Sequence, residues 1–409
     1  MKPSFSIATT SSTSLPMDPR IWRNLPQGLL DRVLAFLPPP SFFRARAVCK
    51  RWYSLLFSDS FLESHLLLSP PLHWFLFFTH PTTTNTTTTT TVTTTISSPS
   101  STAFLFNPDD NTWYRLSFST LIPPNFSPAA SSGGLLCWIS NDAGLKTLIL
   151  CNPLSKLVSH LPPTPRPRLF PSVGLTVGDS SFSAVIAGDD LISPFAVKNL
   201  TAETFHADGL TGFYSPWATA SSLPRLCNLE SGLMLFVSGR FYCMNYSPFS
   251  VLSYDVAGND WSKIQAPMRR FLRCPSLVEF SGRLVLVAAV EKSKLNVPRS
   301  LRLWLLQPCG RAWAELDRMP SEVYRQFSEA EAGHGFECVG HGHFLAITIK
   351  ATSDILLFDS RRKVWWWAPP CPFSRDRRGL RGFAYEPRLA TPSVGLIESP
   401  SISFHAFTS

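Results

Sequence analysis

Apolar residues near the start of the chain recur at the spacing of an amphipathic helix. Five of them fall at intervals of one and three: Leu29, Leu30, Val33, Leu34 and Leu37. Pro26 suits the first turn of such a helix, and the triple proline at 38–40 ends it. Ser41 is a suitable N-cap for a second helix, and a third runs through Trp52. The pattern predicts a helical module over residues 19–68.

This module carries more apolar side chains than it can bury. A domain of roughly 50 residues hides too little of its own surface to form a self-sufficient core. The surplus apolar residues therefore predict a protein partner that covers them.

A second pattern, typical of β-hairpins, repeats along the rest of the chain. In each copy a large apolar residue or cysteine stands seven positions before another large apolar residue, with turn-forming or basic residues between them. Four of the five copies end in Trp. The copies are FNPDDNTW (from Phe106), CNPLSKLV (from Cys151), YDVAGNDW (from Tyr254), LQPCGRAW (from Leu306) and FDSRRKVW (from Phe358).

Short β-rich runs flank each copy, and KNLTAETF (Lys198 to Phe205) gives a weaker sixth copy. Periods of roughly 45 to 55 residues built from short strands predict a β-propeller of the kelch type. Blades packed around an axis bury faces that a single blade cannot, so we expect the tryptophans to lie between blades. Six copies predict six blades, or seven if the C-terminal segment RGFAYEPRLATPSVGLI pairs with the first blade.

The predicted fold class is therefore an α+β multidomain protein. A trihelical module at residues 19–68 precedes an all-β propeller at 69–400. Residues 1–18 form a polar N-terminus that we expect to be disordered, and 401–409 form a short tail. A Thr/Ser-rich run at 81–102 stands between two strand-like segments, which predicts a flexible insertion inside the propeller.

Composition and charge indicate which partners and which cellular location to expect for the protein. The formal net charge is +9, with charged residues at 16% and 36 prolines. This charge permits attraction to nucleic acid or to an acidic protein. The N-terminus lacks the apolar core of a signal peptide, and no apolar run approaches the roughly 20 residues of a membrane helix, so we expect an intracellular protein. The nine cysteines show no CxxC pair, which favours buried thiols over disulfides.

No catalytic motif is present among the common hydrolase, metalloprotease and nucleotide-binding signatures. His341 and His343 lie two residues apart, but a metal needs at least one more ligand that the sequence does not nominate. The expectation is a non-catalytic protein without a metal or cofactor.

Basic residues cluster in three places. One cluster comprises Lys292, Lys294, Arg299 and Arg302. Another comprises Arg361, Arg362, Lys363, Arg375, Arg377, Arg378 and Arg381, and a third Arg269, Arg270 and Arg273. If two of these loops share one propeller face, they form a positive surface able to contact phosphates or an acidic partner. The alternative is that they are solvated loops without a ligand.

The opening segment, WRNLPQGLLDRVLAFLPPPSFFRARAVCKRWYSLL, resembles an F-box. It has the early Leu-Pro, the leucine pair, the closing leucine, the proline followed by two phenylalanines, and Val-Cys-Lys-Arg-Trp in register. The resemblance implies a module that docks in the apolar groove of a Skp1-type adaptor, while Trp52 packs internally or against the following segment. The implied adaptor contacts are Leu25, Pro26, Leu30, Leu37, Pro40, Phe43 and Val48.

Further segments, among them FYCMNYSPFSVLSY (from Phe241) and LVAAVEKSKLNVP (from Leu286), resemble plant F-box/kelch proteins of floral meristem and organ identity. The resemblance implies a nuclear substrate adaptor of an SCF (Skp1, cullin, F-box) ubiquitin ligase that partners the transcription factor LEAFY. A different implied role is a transcriptional co-regulator that joins LEAFY on DNA through basic propeller loops. A propeller enzyme is a third class that no motif supports. The face that binds the client and the fate of the client stay open.

Overall fold

The computed structural model describes residues 20–391 except for short gaps. These gaps are 21–23, 81–82, 89–90, 97–101, 179–180, 191–198, 209–212, 225–226, 230–231, 247, 269, 293–296 and 375–377. The chain divides into two compact units, Met1–Pro70 and Pro71–Ser409. Three predicted segments lie outside the described residues. They are the N-terminus at 1–18, the last nine residues of the predicted propeller range at 392–400, and the tail at 401–409.

The first unit is helical. Its elements are α1 (Gln27–Ala35), α2 (Pro39–Arg46), α3 (Lys50–Ser54), a 3₁₀ turn (Leu55–Phe57) and α4 (Asp59–Leu68). Helix α2 begins two residues before the predicted cap at Ser41, with Pro39 and Pro40 in its first turn. Proline is tolerated there because the first N–H groups of a helix have no intrahelical acceptor. None of the described helices is long and apolar enough to span a membrane.

The core of this unit is small. Leu34, Phe42, Leu55 and Phe61 are buried, and the rings of Phe42 and Phe61 stack with centroids 5.4 Å apart. Stacking of these two rings joins α2 to α4 through the largest buried side chains of the unit. Few residues therefore hold these helices together, because a unit of this size can bury only some of its apolar side chains.

The second unit is a β-propeller, with strands numbered β1–β29 in chain order. Six blades are formed by its described residues, each with the innermost strand given first. Blade 1 contains β29 (Leu380–Tyr385), β1 (Trp74–Thr79), β4 (Thr102–Asn107) and β5 (Thr112–Ser117). Blade 2 contains β6 (Phe126–Ser132), β7 (Leu135–Ser140), β9 (Leu148–Asn152) and β10 (Leu157–His160).

Blades 3 and 4 share one sheet, because β12 and β17 pair in parallel at Val173–Leu233 and Gly174–Met234. Blade 3 contains β12 (Ser172–Val177), β13 (Ser181–Asp189), β14 (Leu200–Asp208) and the short outer strands β15 (Phe213–Tyr214) and β16 (Ala218–Thr219). Blade 4 contains β17 (Leu233–Val237), β18 (Arg240–Asn245), β19 (Ser250–Asp255) and β20 (Asp260–Gln265).

The last two blades are regular antiparallel sheets. Blade 5 contains β21 (Leu272–Phe280), β22 (Arg283–Lys292), β23 (Val297–Leu306) and β24 (Trp313–Arg318). Blade 6 contains β25 (Phe336–His341), β26 (Phe344–Ile349), β27 (Ile355–Asp359) and β28 (Val364–Trp367). Helix α5 (Ser321–Glu331) lies in the connection between these blades. Two further pairs, β2 (Thr83–Thr88) with β3 (Thr91–Ile96) and β8 (Gly144–Leu145) with β11 (Pro167–Arg168), form two-stranded sheets.

The C-terminal strand closes the ring. Strand β29 pairs antiparallel with β1 from Trp74–Tyr385 to Thr79–Leu380 and supplies the innermost strand of blade 1. The inner strands contact one another in the order β29, β6, β12, β17, β21, β25 and back to β29. The C-terminal strand thus pairs with the first blade, a possibility that the sequence left open, but it completes that blade instead of adding a seventh, and the described ring has six blades.

Each of the six interfaces between blades has its own hydrophobic cluster. Blades 1 and 2 share a cluster around Trp138, and blades 5 and 6 share one around Phe327. The remaining four clusters lie between blades 2 and 3, 3 and 4, 4 and 5, and 6 and 1. The core thus lies between blades, because each sheet can bury its two faces only against its neighbours.

The repeat seen in the sequence is the third hairpin of a blade. Its first and last residues are direct cross-strand partners in all five strong copies: Phe106–Trp113, Cys151–Val158, Tyr254–Trp261, Leu306–Trp313 and Phe358–Trp365. In four copies an Asn or Asp side chain accepts hydrogen bonds from backbone N–H groups two or three residues ahead; these are Asn107, Asn152, Asp255 and Asp359. This local bonding is the reason for the turn composition.

The weak sixth copy does not fit this pattern. From Leu200 to Phe205 it lies inside the nine-residue strand β14 and not at a turn. Blade 3 nevertheless exists, with its outer edge divided between β15 and β16, both of which pair with β14. A split outer strand leaves no regular hairpin for a repeat to mark.

Strands β2 and β3 lie within the Thr-rich run and form a hairpin between β1 and β4. The run is therefore an insertion into blade 1. The sequence predicts a flexible insertion there, because no apolar pattern would hold the run on the core. Threonine is β-branched and suits extended backbone, which accounts for a hairpin without an apolar pattern.

Successive antiparallel strands alternate in direction, so the connections alternate between the two faces of the propeller. We call one face the hairpin face; it carries the turns at 107–112, 132–135, 152–157, 237–240, 255–260, 280–283, 306–313, 341–344 and 359–364. We call the other the insertion face; it carries the connections at 79–102, 117–126, 140–148, 160–172, 189–200, 245–250, 265–272, 292–297, 318–336, 349–355 and 367–380.

Candidate functional site

Two apolar stripes run along α1 and the two residues that follow it, instead of the single face predicted from the spacing. Leu30, Leu34 and Leu37 follow one stripe at intervals of four and three, and Leu34 on it is buried. Leu29, Val33 and Phe36 follow the other stripe, with exposed fractions of 48%, 42% and 56%. The helix therefore packs with one stripe and presents the other to solvent.

The residues implied as adaptor contacts all have accessible surface. Leu25, Leu30, Leu37, Pro40 and Phe43 are half-buried, and Pro26 and Val48 are exposed. Sequence reasoning missed further exposed apolar side chains of the same unit: Leu29, Val33, Phe36, Tyr53 and Phe57. The first three of these residues repeat at intervals of four and three, next to the stripe of Leu30, Leu34 and Leu37. This second periodicity is the sequence signal that would have identified them. We call the exposed apolar residues of α1 to α3 and the 3₁₀ turn the F-box surface.

Arg46 organises one end of the F-box surface. Its guanidinium lies 4.5 Å from the ring centroid of Tyr53, and the rings of Phe43 and Phe57 are within cation–π distance. The same group donates hydrogen bonds to the Tyr53 carbonyl oxygen at 3.1 and 3.0 Å. Held by these contacts, Arg46 positions the exposed rings of Tyr53 and Phe57 and the half-buried ring of Phe43.

A second arginine joins α1 to α3. Arg51 Nη2 lies 2.7 Å from both carboxylate oxygens of Asp31. Cys49 caps α3 by accepting the Trp52 N–H at its sulfur, at 3.4 Å. Trp52 itself is half-buried. The Val-Cys-Lys-Arg-Trp segment therefore contributes mainly to the frame of the unit, and only Val48 of these residues is strongly exposed apolar surface.

The order and direction of the strands place connections from all three basic segments on one face of the propeller. The connections 265–272, 292–297 and 367–380 all belong to the insertion face, so each of the three predicted clusters has members there. Lys292 pairs with Val297 at the last rung of the β22–β23 hairpin, and Arg299 is the extra residue of a bulge in β23. Arg378 is exposed. Lys294, Arg375, Arg377 and Arg269 lie outside the described residues.

Arg302 and Arg273, both predicted to contribute to a positive surface, instead pair with acidic residues of the propeller. Arg302 lies within β23 and pairs with Glu315 of the same blade at 3.2 Å, while its Nε donates to Ser300 Oγ. Arg273 makes a bidentate pair with the buried Glu331 of α5 at 2.9 and 2.7 Å. Their positive charges are neutralised within the propeller, so neither is available to phosphates.

Glu331 anchors α5 by this pair. Burial alone would raise the pKa of Glu331, but hydrogen bonds from Arg273 and from the backbone N–H of Gly335 outweigh burial and hold its pKa below the ordinary value. Arg381 of the C-terminal cluster lies within β29, opposite Phe78 of β1, with its guanidinium 5.2 Å from the ring centroid of Phe383. Arg361, Arg362 and Lys363 lie on the hairpin face, where they follow Asp359 in the turn of blade 6. Lys363 pairs there with Asp317 at 2.6 Å. The C-terminal cluster is thus split between both faces.

The structure adds a third histidine to the pair noted in the sequence. The ring of His73 lies edge-on to His341 and His343, with centroid separations of 5.0 and 5.9 Å. His341 Nδ1 bonds the Trp74 carbonyl oxygen at 2.9 Å, and burial lowers its pKa to about 4. Among the described residues no group of three or more His, Cys, Asp or Glu side chains is placed to hold a metal ion.

Comparison with known proteins agrees with both units. Residues 22–64 match the F-box domain family, and residues 105–324 match the KIB1-4 beta-propeller family. The chain is an F-box protein whose second domain is a β-propeller. It belongs to the same family as Protein UNUSUAL FLORAL ORGANS of Arabidopsis thaliana, to which it is 58% identical over 405 residues, with 96% of this chain and 91% of the relative covered.

Two further relatives extend the comparison. Protein ABERRANT PANICLE ORGANIZATION 1 of Oryza sativa subsp. japonica is 49% identical over 428 residues, covering 96% of this chain and 95% of that protein. SKP1-interacting partner 15 of Arabidopsis thaliana is 24% identical over 380 residues, covering 89% of this chain and 97% of that protein. Similarity thus runs through both units and is not confined to the F-box.

Proposed function

We propose that this chain is the substrate-recognition subunit of an SCF-type ubiquitin ligase. Its F-box surface docks on a Skp1-type adaptor, which links it to a cullin, and its propeller binds a client. The observation that carries the proposal is the exposed apolar stripe of α1 together with the clamped aromatic side chains near Arg46. A relative named for its interaction with SKP1 is similar to this chain over 89% of this chain's length, which supports the same partner here.

The propeller serves as a platform and not as an enzyme in this proposal. Ubiquitin transfer is carried out by other subunits of the ligase. The client is a transcription factor of the LEAFY type in the nucleus, in the specification of floral meristems and organs. The similarity to relatives named for floral and panicle organisation supports this choice of process.

Adaptor binding is tested by co-purification of the full chain with a Skp1-type protein. Val33→Glu places a charge on the exposed stripe of α1, and Leu67→Glu places one on an exposed leucine near the end of α4 as the matched control. We expect Val33→Glu to weaken adaptor binding by about tenfold or more, because an unpaired charge is desolvated in an apolar groove. Equal binding of wild type and Val33→Glu would contradict the proposal.

A second function is favoured by the basic insertion face. In this function the propeller acts as a transcriptional co-regulator that joins a LEAFY–DNA complex, with Lys292 and Arg299 near the DNA backbone. Convergence of three basic connections on one face supports phosphate contact. This role does not require destruction of the client.

The co-regulator function is tested by gel-shift titration of LEAFY and its DNA site with the full chain. The double variant Lys292→Glu/Arg299→Glu is compared with Arg361→Glu/Arg362→Glu, which changes the charge equally on the hairpin face. We expect only the first variant to lose affinity, by about tenfold at low salt, with a shallower salt dependence. Equal behaviour of both variants would remove the phosphate contact from the proposal.

A further inference from the structure

A deep cleft lies between blades 4 and 5 and opens on the hairpin face. Its volume is about 890 Å³, within the range of protein binding sites for small ligands and short peptides. Its walls come from all four strands of blade 4, from the start of β22, and from the end of β23 with the following turn at 307–311. It lies on the face of the propeller opposite the insertion face.

The charge of the cleft is one-sided. Among the described residues that line it, four are basic, namely Arg240, Lys263, Arg283 and Arg311, and none is Asp or Glu. Arg240 is paired with Asp255 at 2.7 Å. Arg283 and Arg311 are exposed and have neither a side-chain hydrogen bond nor an ion pair within the described residues. Two guanidinium groups at the rim are therefore available to an anion.

The floor of the cleft is apolar. Tyr242, Ile264 and Leu284 lie at its base and are at most 8% exposed, while Leu305 and Leu306 are half-buried along one wall. Such a cleft combines apolar contact in its depth with charge at its rim. This combination matches a segment that alternates acidic and apolar side chains, since an extended peptide directs successive side chains to opposite sides.

The turn at the rim also favours negative charge. Gly310 has a φ of +69°, and the backbone N–H groups of Arg311 and Ala312 point toward the sulfur of Cys309. These N–H groups and the neighbouring guanidinium lower the pKa of the exposed Cys309 thiol. The same N–H groups would attract a carboxylate brought to this rim.

We propose that the cleft between blades 4 and 5 binds an acidic peptide segment of a partner protein, with Arg283 and Arg311 pairing with its carboxylates. Nucleic acid fits this cleft less well. A duplex is too wide to enter it and would touch only the rim. Single strands are held by stacking on exposed aromatic rings, whereas Tyr242, the one aromatic side chain among the described residues that line the cleft, is only 8% exposed.

The test measures fluorescence anisotropy of a labelled octapeptide that alternates glutamate and leucine, titrated with the full chain. The matched control peptide carries glutamine in place of glutamate. We expect the glutamate peptide to bind with an affinity that falls as salt is raised, and the glutamine peptide to bind at least about tenfold more weakly. Equal binding of the two peptides would overturn the proposal.

The protein variants separate the cleft from general charge. Arg283→Glu/Arg311→Glu is expected to lower affinity for the glutamate peptide by about tenfold or more. Arg361→Glu/Arg362→Glu makes the same change of charge at exposed residues of the same face and is expected to change affinity less than about twofold. Equal losses in both variants would overturn the proposal, as would an oligothymidylate of equal charge that binds more tightly than the peptide and displaces it.

Cys309 reports occupancy of the cleft directly. The glutamate peptide is expected to slow alkylation of Cys309 by iodoacetamide, read by mass spectrometry, and to leave the exposed Cys49 of the F-box unit unaffected. Unchanged alkylation of Cys309 at a saturating peptide concentration would place the binding elsewhere. Neither Skp1 nor DNA is present in these experiments, so their failure would leave the proposed function untouched.

Discussion

Trp113 donates its indole N–H to the carbonyl oxygen of Pro369 at 2.9 Å, across the interface where the ring closes between blades 1 and 6. Trp313 of blade 5 makes the same bond to Gln265 of blade 4 at 2.8 Å, and Trp217 of blade 3 bonds Pro162 beyond blade 2 at 2.7 Å. The outer strands are thus tied to the preceding blade by a repeated hydrogen bond in addition to the apolar clusters. Trp365, at the corresponding position of blade 6, stacks on Phe358 and makes no such bond among the described contacts.

The first prediction concerns this bond. Trp113→Phe keeps an aromatic ring but removes the N–H donor, and the Pro369 carbonyl loses its partner. We expect the free energy of unfolding to fall by about 1 kcal/mol more than it does in Trp365→Phe, which loses the same atoms without an interblade bond. Urea unfolding followed by far-ultraviolet circular dichroism measures both. Equal losses in the two variants would mean that the bond contributes nothing beyond packing.

The second prediction concerns closure by β29. Phe383 is 1% exposed and its ring meets that of Phe78 edge-on, with centroids 5.8 Å apart. Phe383→Ala should lower the free energy of unfolding by about 3 to 5 kcal/mol, because a large cavity opens beside the innermost strand. Phe373→Ala is the control, since that ring lies in the connection before β29 and is 42% exposed. A similar loss in the control would argue against a special role for the closing strand.

The third prediction separates folding from docking in the F-box. Phe42 is 1% exposed, and Phe36 is 56% exposed on the outer stripe of α1. Phe42→Ala should unfold the helical unit, because a loss of about 3 to 5 kcal/mol is comparable to the whole stability of a small domain. Phe36→Ala should leave helicity unchanged and weaken binding of a Skp1-type protein by about tenfold. Circular dichroism and calorimetric titration give the two readouts, and a folded Phe36→Ala variant with full affinity would contradict the interface.

The fourth prediction concerns pH. Burial lowers the pKa of His341 in the folded propeller to about 4, from an ordinary value of 6.5. The unfolded chain therefore binds the proton more readily, and stability is complete above pH 6.5 and falls as pH is lowered toward about 4. Burial lowers the pKa values of His73 and His343 as well, so all three histidines act in the same direction.

The melting temperature of the wild type should thus drop between pH 7.5 and pH 5. His341→Gln keeps an amide N–H that can donate to the Trp74 carbonyl but cannot take up a proton in this range. We expect its melting temperature to depend less on pH over the same interval. His334→Gln, a variant at an exposed histidine of the same unit, provides the comparison. An unchanged pH dependence in His341→Gln would assign the effect to other groups.

The sequence alone determined what depends on local spacing. The hairpin repeat predicted the blade architecture, because the whole repeat lies within one β-hairpin. Its first and last residues, seven positions apart, are cross-strand partners, and the turn-forming residues between them include an Asn or Asp. The F-box segment was likewise recognised from residues close together in the chain. The sequence did not predict the divided outer edge of blade 3, because β14 is not followed by the regular hairpin that the repeat marks in the other blades.

Only the tertiary structure decided what depends on distant partners. It assigned the C-terminal strand to blade 1, joined Arg302 to Glu315 and Arg273 to Glu331, and brought His73 beside His341. It also separated the two stripes of α1, since which apolar residues face the core depends on where the other helices pack. The cleft between blades 4 and 5 is of the same kind, because Arg283 and Arg311 line one cleft only when two hairpins of blade 5 meet those of blade 4. These relationships depend on chain closure and packing between blades, which no periodicity in the sequence records.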